Sequence, residues 1–366
     1  MKKLQVIAAG LGYRLLEERG LTEMAGLRFA PAPSVFPAVT CVAQASLRTG
    51  LKPTEHGMIS NGVWFDDLRK PMFWEQSARL VKGSRLWSRN AGVFFFQQSL
   101  GEDVALLVSP APIHKHGGGM LMSCYTKPTG MAPVLNKLCG KFPLWRYWGP
   151  LASPKAGRAC IDWFEQATNV HEVDEAYLYL PTLDYAAQKY GPKSAAAHAA
   201  LKEFRRQLER LSDLCMRRGC ELKVTGDYEI SEVTAEPVLP NVVLRRADLF
   251  RTREVASRAY PDFYQSQTFA MCDHEFCVIC GEAREQAVEL LVATGDYERS
   301  ELPFVLLAKS GSWCGYEWWT DRREAPDFAS HVDIHNKPGF DPKELFFFNR
   351  GIVKGTHGRA CEVAYA

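Results

Sequence analysis

A threonine at residue 40 stands where a hydroxyl group could meet an anion. Thr40 follows Pro37-Ala38-Val39, and the residues from Cys41 to Gly50 suit an amphipathic helix. The first turn of a helix offers free backbone N–H groups and the positive end of the helix dipole, which favour a phosphoryl group. The same position also suits an ordinary N-cap threonine. The stretch alone leaves both interpretations open.

Polar residues also follow two apolar strands later in the chain. Asp184 comes just after Glu175–Leu180, and Asp227 comes just after Glu221–Val224. The carboxyl ends of parallel strands meet at one edge of a sheet, where α/β proteins place their ligands. A third polar group, Asp333-Ile334-His335 and later His357-Gly358, lies near the end of the chain.

Together these stretches resemble the alkaline phosphatase superfamily, in its nucleotide pyrophosphatase/phosphodiesterase branch. In that branch a threonine begins a segment that continues with Thr-Gly, His-Gly and an asparagine. The order is kept here by Thr40, Thr49-Gly50, His56-Gly57 and Asn61, whereas Val42-Ala43 stands where the family has Pro-Asn. Phe142-Pro143 and Trp148-Gly149-Pro150 match a further stretch of the family.

The resemblance implies a catalytic site with two divalent cations. Such cations bind phosphoryl oxygens, activate the nucleophile and hold the leaving oxygen. By resemblance, Thr40 is the nucleophile and Asn61 donates to a phosphoryl oxygen. Asp184 and His357 would hold one metal, and Asp227 would hold the other. The expected substrate is a small phosphorylated molecule with a phosphodiester or pyrophosphate bond.

Three metal ligands of the family are replaced in this chain. Ala9 stands in place of an aspartate, Gln188 in place of the histidine of Asp-x3-His, and Tyr228 in place of the histidine of Asp-His. A phenol and an amide are weak zinc ligands, so manganese or magnesium is as suitable as zinc. His335 is either a rebuilt metal ligand or a turn histidine. Cys41, Gln188 and Tyr228 are candidate substrate-binding residues.

The elements that must position these residues alternate between strands and helices. Strands are predicted at Leu4–Ala9, Val104–Val108, Glu175–Leu180 and Glu221–Val224, and a long helix at Ser194–Arg218. This alternation is typical of a three-layer α/β/α sandwich with a largely parallel sheet. We expect one domain over residues 1–366, with cap insertions near 109–158 and 235–320. A helix is expected near Glu282–Val292.

Composition excludes several classes of protein. The net charge of +2 gives no general attraction to a nucleic acid polymer. No apolar run approaches the roughly 20 residues that span a bilayer. The opening residues Met1–Gly12 suit a buried first strand better than a signal peptide, because Gln5 interrupts the apolar run. Eleven scattered cysteines indicate reduced thiols and a cytoplasmic protein.

Three alternatives remain. Cys272, Cys277, Cys280 and Cys314 have the spacing of an iron–sulfur ligand set, although their apolar neighbours also suit a buried strand. Cys41 could replace Thr40 as the nucleophile, because a thiolate is intrinsically the stronger nucleophile. The chain could also be a descendant of the family that binds a phosphorylated metabolite without hydrolysing it.

Overall fold

The structure is a computed structural model that describes residues 1–117, 119–149, 151–330, 337–340 and 353–366. Its strands are β1 (Lys3–Ala8), β2 (Glu23–Met24), β3 (Leu27–Arg28), β4 (Ala30–Pro33), β5 (Gly62–Phe65), β6 (Lys70–Phe73), β7 (Ala91–Phe94), β8 (Leu106–Pro110), β9 (Ile113–His114), β10 (Met120–Leu121), β11 (Cys124–Lys127), β12 (Glu175–Leu180), β13 (Glu221–Gly226), β14 (Ser231–Glu232), β15 (Thr252–Val255), β16 (Arg258–Pro261), β17 (Thr268–Asp273), β18 (Phe276–Gly281), β19 (Tyr297–Arg299), β20 (Val305–Ala308), β21 (Gly355–Thr356) and β22 (Glu362–Tyr365).

The α-helices are α1 (Tyr13–Glu17), α2 (Thr40–Thr49), α3 (Pro53–His56), α4 (Met131–Cys139), α5 (Leu144–Tyr147), α6 (Ala156–Val170), α7 (Asp184–Tyr190), α8 (Ala195–Arg218), α9 (Pro240–Arg246) and α10 (Arg284–Ala293). Short 3-10 helices cover Ala78–Leu80, Arg322–Glu324 and Asp327–Ser330. Among the described residues, no helix combines the length and the apolar character that crossing a membrane requires.

The main sheet has eight strands in the order β11-β8-β7-β12-β1-β13-β22-β4. The five strands from β8 to β13 in this order run parallel, whereas β11 and β22 pair antiparallel with their neighbours. Central strand β1 is buried along its length, as expected for a parallel strand covered on both faces. The predicted α/β sandwich with a largely parallel sheet is confirmed.

Most of the predicted elements are present, with small shifts in their ends. The strands predicted at 4–9, 175–180 and 221–224 are β1, β12 and β13, and the strand predicted at 104–108 is β8, two residues later. The predicted long helix is α8. It begins after Ser194, whose hydroxyl accepts the Ala197 N–H, and it ends at Gly219 in the left-handed conformation.

A second, four-stranded sheet is built by residues in the range 235–320. Its strand order is β17-β18-β20-β19, and α9 and α10 pack against it. It has an apolar core of its own, distinct from the core of the main sheet. The tip of the β17–β18 hairpin reaches the site that the main sheet positions. This hairpin corrects the expectation of a single strand through Cys272–Cys280.

Candidate active site

A cavity of about 740 Å³ opens where β12 and β13 end and α2 begins. Parallel strands end at the same edge of the sheet, which explains why residues distant in sequence converge here. The cavity lining includes the sequence-predicted residues Thr40, Asp184, Gln188, Tyr228 and His357. The other predicted residues within the described chain, Cys41, Asn61 and Asp227, lie buried behind this surface.

Thr40 is the first residue of α2, and its N-cap is Val39. The interpretation of Thr40 as the N-cap is therefore wrong. The side chain is 6% exposed and lies on the cavity wall. It interacts with the phenols of Tyr179 and Tyr228, whose pKa values are raised far above the ordinary range by burial. The hydroxyl is thus accessible from the cavity and surrounded by neutral donors.

Asn61 supports the first turn of α2 from behind. Its Oδ1 accepts the backbone N–H of Cys41 at 3.0 Å, and its Nδ2 donates to Oδ1 of Asp273 at 3.1 Å. The Cys41 thiol is fully buried, and burial raises its pKa far above that of an ordinary cysteine. A protonated, inaccessible thiol does not compete with Thr40 as a nucleophile.

Asp184 begins α7 directly beyond β12 and is paired with Gln188 in the same helix. Oδ1 of Asp184 accepts a hydrogen bond from Nε2 of Gln188 at 2.6 Å. Burial raises the pKa of Asp184, and the Gln188 amide partly opposes this shift. Oε1 of Gln188 is buried without a hydrogen-bond partner. Gln188, which stands where the family has a histidine, therefore holds the Asp184 carboxylate in place.

Asp227 is held by backbone groups beyond the end of β13. Its Oδ1 accepts the N–H groups of Gly10 at 3.0 Å and of Tyr228 at 2.9 Å, while Oδ2 is buried without a partner. Burial raises the pKa of Asp227 well above its ordinary value, and the nearby Asp184 adds to this shift. Both effects favour the neutral acid.

His357 lies between two other rings. Its Nδ1 is 2.9 Å from the carbonyl oxygen of Ala38, which favours the tautomer with the proton on Nδ1 and a lone pair on Nε2. The Tyr228 ring lies parallel to it at 3.6 Å, and the His274 ring is 3.7 Å away. Burial lowers the pKa of His357 well below its ordinary value, and His274 lowers it further. His357 is therefore neutral.

From the sequence, the pair Asp273–His274 could approach the site or could equally cap the insertion. The His274 ring lines the cavity, and its Nδ1 is 2.8 Å from Oδ1 of Asp273. His274 occupies a hairpin turn with φ of 54°, in the left-handed region that few non-glycine residues adopt. A run of three polar residues, Asp273-His274-Glu275, interrupts an otherwise apolar stretch. That interruption is the signal that could have identified the turn.

The two-metal centre implied by the resemblance does not fit these residues. In the part of the chain that the structure describes, no group of three His, Cys, Asp or Glu side chains is arranged to hold a metal ion. Asp184 is bonded to Gln188, Asp227 to backbone amides, and one face of the His357 ring is covered by Tyr228. His335, the remaining predicted ligand, lies outside the described residues.

The iron–sulfur alternative fails on the geometry of the second sheet. Cys272 and Cys277 face each other across the β17–β18 hairpin, and Cys314 interacts with Cys277. Cys280 is three residues from Cys277 in the same strand and therefore points to the opposite face. The four thiols do not converge, and each is buried. They are buried strand and core cysteines.

The arrangement of the sheet, with polar residues at the ends of parallel strands and at the start of a helix, defines an α/β protein of the alkaline phosphatase superfamily. The family profile of type I phosphodiesterase/nucleotide pyrophosphatase matches residues 9–341. The chain belongs to this family of phosphoester hydrolases.

Solved structures show the same fold at low sequence identity. Murine ectonucleotide pyrophosphatase/phosphodiesterase 5 has 13% identity and a TM-score of 0.57, with 100% of this chain and 87% of that chain covered. Phosphonoacetate hydrolase from Sinorhizobium meliloti 1021, in complex with phosphonoformate, has 15% identity and a TM-score of 0.61, with 100% and 89% covered. No curated protein matches the sequence.

Proposed function

We propose that this protein cleaves or transfers a phosphodiester or pyrophosphate bond of a small phosphorylated substrate, with Thr40 as the nucleophile. The observation that carries the proposal is the position of the Thr40 hydroxyl. It lies at the first turn of α2, one residue after the N-cap Val39, and faces a cavity lined by Asp184 and three histidines. Free backbone N–H groups at this turn favour the phosphoryl group of a substrate.

In the proposed reaction Thr40 Oγ attacks phosphorus, the bond from phosphorus to the leaving oxygen breaks, and the leaving group takes up a proton. Water or a second alcohol then takes the phosphoryl group from Thr40. Tyr228 interacts with both Thr40 and Asp184, which gives the hydroxyl proton a route to a carboxylate. We assign Asn61 to positioning the first turn of α2, because its amide oxygen already accepts the Cys41 N–H.

We derive no step of this reaction through a metal ion, because the described residues alone do not complete the two-metal centre. Losing one metal removes several kcal/mol of charge stabilisation, which corresponds to roughly a thousandfold in rate or more. We therefore expect slow turnover. Dependence on zinc, manganese or magnesium is decided by chelating the purified protein and then adding each ion separately.

The test is turnover of bis-p-nitrophenyl phosphate by purified variants. Thr40→Ala is expected to abolish turnover, whereas Thr40→Ser retains a hydroxyl and part of the activity. Thr54→Ala, at an exposed position in α3, is the matched control and is expected to leave turnover unchanged. Turnover that survives Thr40→Ala contradicts the nucleophile assignment. Mass spectrometry of the quenched reaction tests for a p-nitrophenyl phosphoryl group on Thr40.

A second candidate function is binding of a phosphorylated metabolite without hydrolysis. It is favoured by the Asp184–Gln188 hydrogen bond and the Tyr228–His357 stack, which occupy positions that the family gives to metal ligands. Relatives have been solved with AMP and with phosphonoformate, so both compounds are suitable probes. Under this function no ion restores turnover, while a phosphorylated probe raises the melting temperature.

Two further parts of the proposal concern the whole chain. We place the segments 109–158 and 235–320 as a cap around the cavity, because both contribute lining residues, Trp145 and His274 among them. The eleven cysteines form no disulfide in the structure, which supports a reducing compartment such as the cytoplasm.

A further inference from the structure

The cavity above Thr40 has two chemically different parts. Thr40, Asp184, His274 and His357 form a polar floor at the ends of the central strands. The remaining wall is mostly aromatic and aliphatic. A volume of about 740 Å³ is typical of sites for small organic ligands and exceeds what a phosphate group alone would fill. The apolar wall must therefore accommodate another part of the ligand.

Several polar groups on this wall are bonded to the protein itself, whereas Nε1 of Trp74 is buried without a partner. Nε2 of Gln76 donates to Oε1 of Gln97 at 2.6 Å and to the carbonyl of Trp74 at 2.9 Å. Oε1 of Gln76 accepts the backbone N–H of Gln98. The Tyr147 hydroxyl donates to the carbonyl of Phe95 at 3.1 Å. A nucleobase carries several donors and acceptors on its edges, and burying them here without partners would cost free energy.

The apolar wall continues to the protein surface. Met122, Trp145 and Leu151 line the cavity and yet are 45%, 43% and 56% exposed. Ile113 and Leu121, which pair across the β9–β10 hairpin, are also at least half exposed. Other residues of this hairpin, His114 and Met120, line the cavity. Large apolar side chains exposed together mark a binding surface, and this one is continuous with the site.

The charge of the lining favours a ligand with little negative charge. None of the described residues that line the cavity is a lysine or an arginine, whereas Asp184 supplies an acid. A pyrophosphate or a phosphomonoester carries close to two negative charges or more near neutral pH. A phosphodiester carries only one. Burial of the second charge without a cationic partner would be costly.

From these observations we propose that the substrate is a phosphodiester in which one alcohol is a long apolar chain. The phosphodiester group lies at Thr40, and the chain follows the apolar wall toward Trp145 and Leu151. This inference rests on the proposed function for the reacting group. It also specifies the substrate class, which neither the family nor its solved relatives assign to this chain.

The kinetic test compares three p-nitrophenyl phosphodiesters that share one leaving group and differ only in the second alcohol: methyl, decyl and 5′-thymidyl. Each fully buried methylene favours binding by roughly fourfold. Nine additional methylenes, offset by the ordering of the chain, are expected to raise kcat/KM by at least about a hundredfold over the methyl ester. The decyl ester should also exceed the thymidyl ester by at least about tenfold.

Variants of the apolar wall test which residues cause the preference for the decyl ester. Trp145→Ala and Leu151→Asn are each expected to reduce the ratio of decyl to methyl kcat/KM by about tenfold. The matched control is Leu138→Asn, because Leu138 is 53% exposed on α4 and does not line the cavity. This control is expected to keep the ratio of the unmodified protein.

A binding experiment distinguishes failure of this inference from failure of the proposed function. Calorimetry with Thr40→Ala protein measures decyl methyl phosphate below its micelle concentration, 5′-thymidyl methyl phosphate and decyl maltoside. Tight binding of decyl methyl phosphate, together with no turnover of any of the three p-nitrophenyl diesters by the unmodified protein, supports the substrate class and overturns the proposed reaction. Equal affinity for the decyl and thymidyl esters overturns the substrate class, as does equal affinity for decyl maltoside. Cosedimentation with phosphatidylglycerol vesicles, with no binding of the monomeric ester, would indicate a membrane surface and also overturns it.

Discussion

Asp273 connects the β17–β18 hairpin to the start of α2, and its replacement tests how the second sheet supports the site. The carboxylate is fully buried. Its Oδ2 accepts from the Ser60 hydroxyl at 2.8 Å and from the Asn61 N–H at 2.7 Å. Its Oδ1 accepts from Nδ2 of Asn61 at 3.1 Å and lies 2.8 Å from Nδ1 of His274. Asn61 in turn accepts the N–H of Cys41, next to Thr40.

The loss of stability expected for Asp273→Asn follows from these four contacts. One side-chain oxygen remains and keeps its two partners. The new amide N–H2 group faces the Ser60 hydroxyl, which can rotate and accept, and the Asn61 backbone N–H, which cannot. One buried donor is then left unsatisfied, and the hydrogen bonds to a charged acceptor are lost. We expect the free energy of unfolding to fall by about 3 kcal/mol. Ser60→Ala removes one contact of Asp273 and the acceptor of the Gly62 N–H, and should cost about 2 kcal/mol.

Urea unfolding of the purified variants measures these changes. Asp248→Asn is the matched control, because the Asp248 side chain is 76% exposed in its ion pair with Arg251. Exposed pairs contribute little, so this change should stay within about 0.5 kcal/mol. Turnover, where present, should fall with Asp273→Asn because the first turn of α2 loses its support. A cost for Asp273→Asn no larger than that of the control would refute the assignment of Asp273 as a buried structural acceptor.

Two further predictions concern protonation and metal binding. Nδ1 of His56 accepts the Met58 N–H at 3.1 Å, and burial lowers its pKa to about 4. Because the unfolded imidazole titrates near 6.5, the free energy of unfolding should decrease as pH falls from about 6.5 to 4. The loss should be roughly 1 kcal/mol after allowance for solvent screening, and His56→Gln should remove it in an acid titration series. The triple change Ala9→Asp, Gln188→His and Tyr228→His restores the ligand types of the family. It should allow zinc to raise the melting temperature and increase diester turnover by about a thousandfold. Elemental analysis that finds no retained metal would contradict this prediction.

The central part of the fold was predictable because its elements carry strong local signals. β1, β12 and β13 are short apolar runs, and α8 repeats its apolar residues at three and four positions between Ser194 and Gly219. Such patterns arise because one or both faces of the element are buried, and they can be recognised in the sequence without knowing which elements pack nearby. The positions of Thr40 and Asp184 at the ends of these elements followed directly.

The contacts between site residues could not be predicted from local sequence patterns. The parallel contact between Tyr228 and His357 joins residues that local periodicity does not relate. The hairpin at His274 lacks the glycine or asparagine that usually marks a positive φ, so the sequence gives no ordinary turn signal there. The hydrogen bonds from Asp273 to Asn61 depend on how the second sheet docks against the first. Only tertiary structure supplies that information.

The three replacements of the family's metal ligands can be explained together by their effect on the charge of the cavity floor. Several carboxylates around a phosphoryl group repel it unless cations lie between them. Ala9 removes the carboxylate that the family has at the end of β1, the Gln188 amide donates to Asp184, and backbone N–H groups donate to Asp227. Burial raises the pKa of both remaining acids, which makes the Asp184 carboxylate a stronger base and favours the neutral form of Asp227. Tyr228 covers His357, whose neutral ring needs no anionic partner. Each replacement lowers the charge of the cavity floor or satisfies a polar group there. At a cavity floor of this kind, hydrogen-bonding groups must activate Thr40. The same floor suits a weakly charged ligand better than a pyrophosphate.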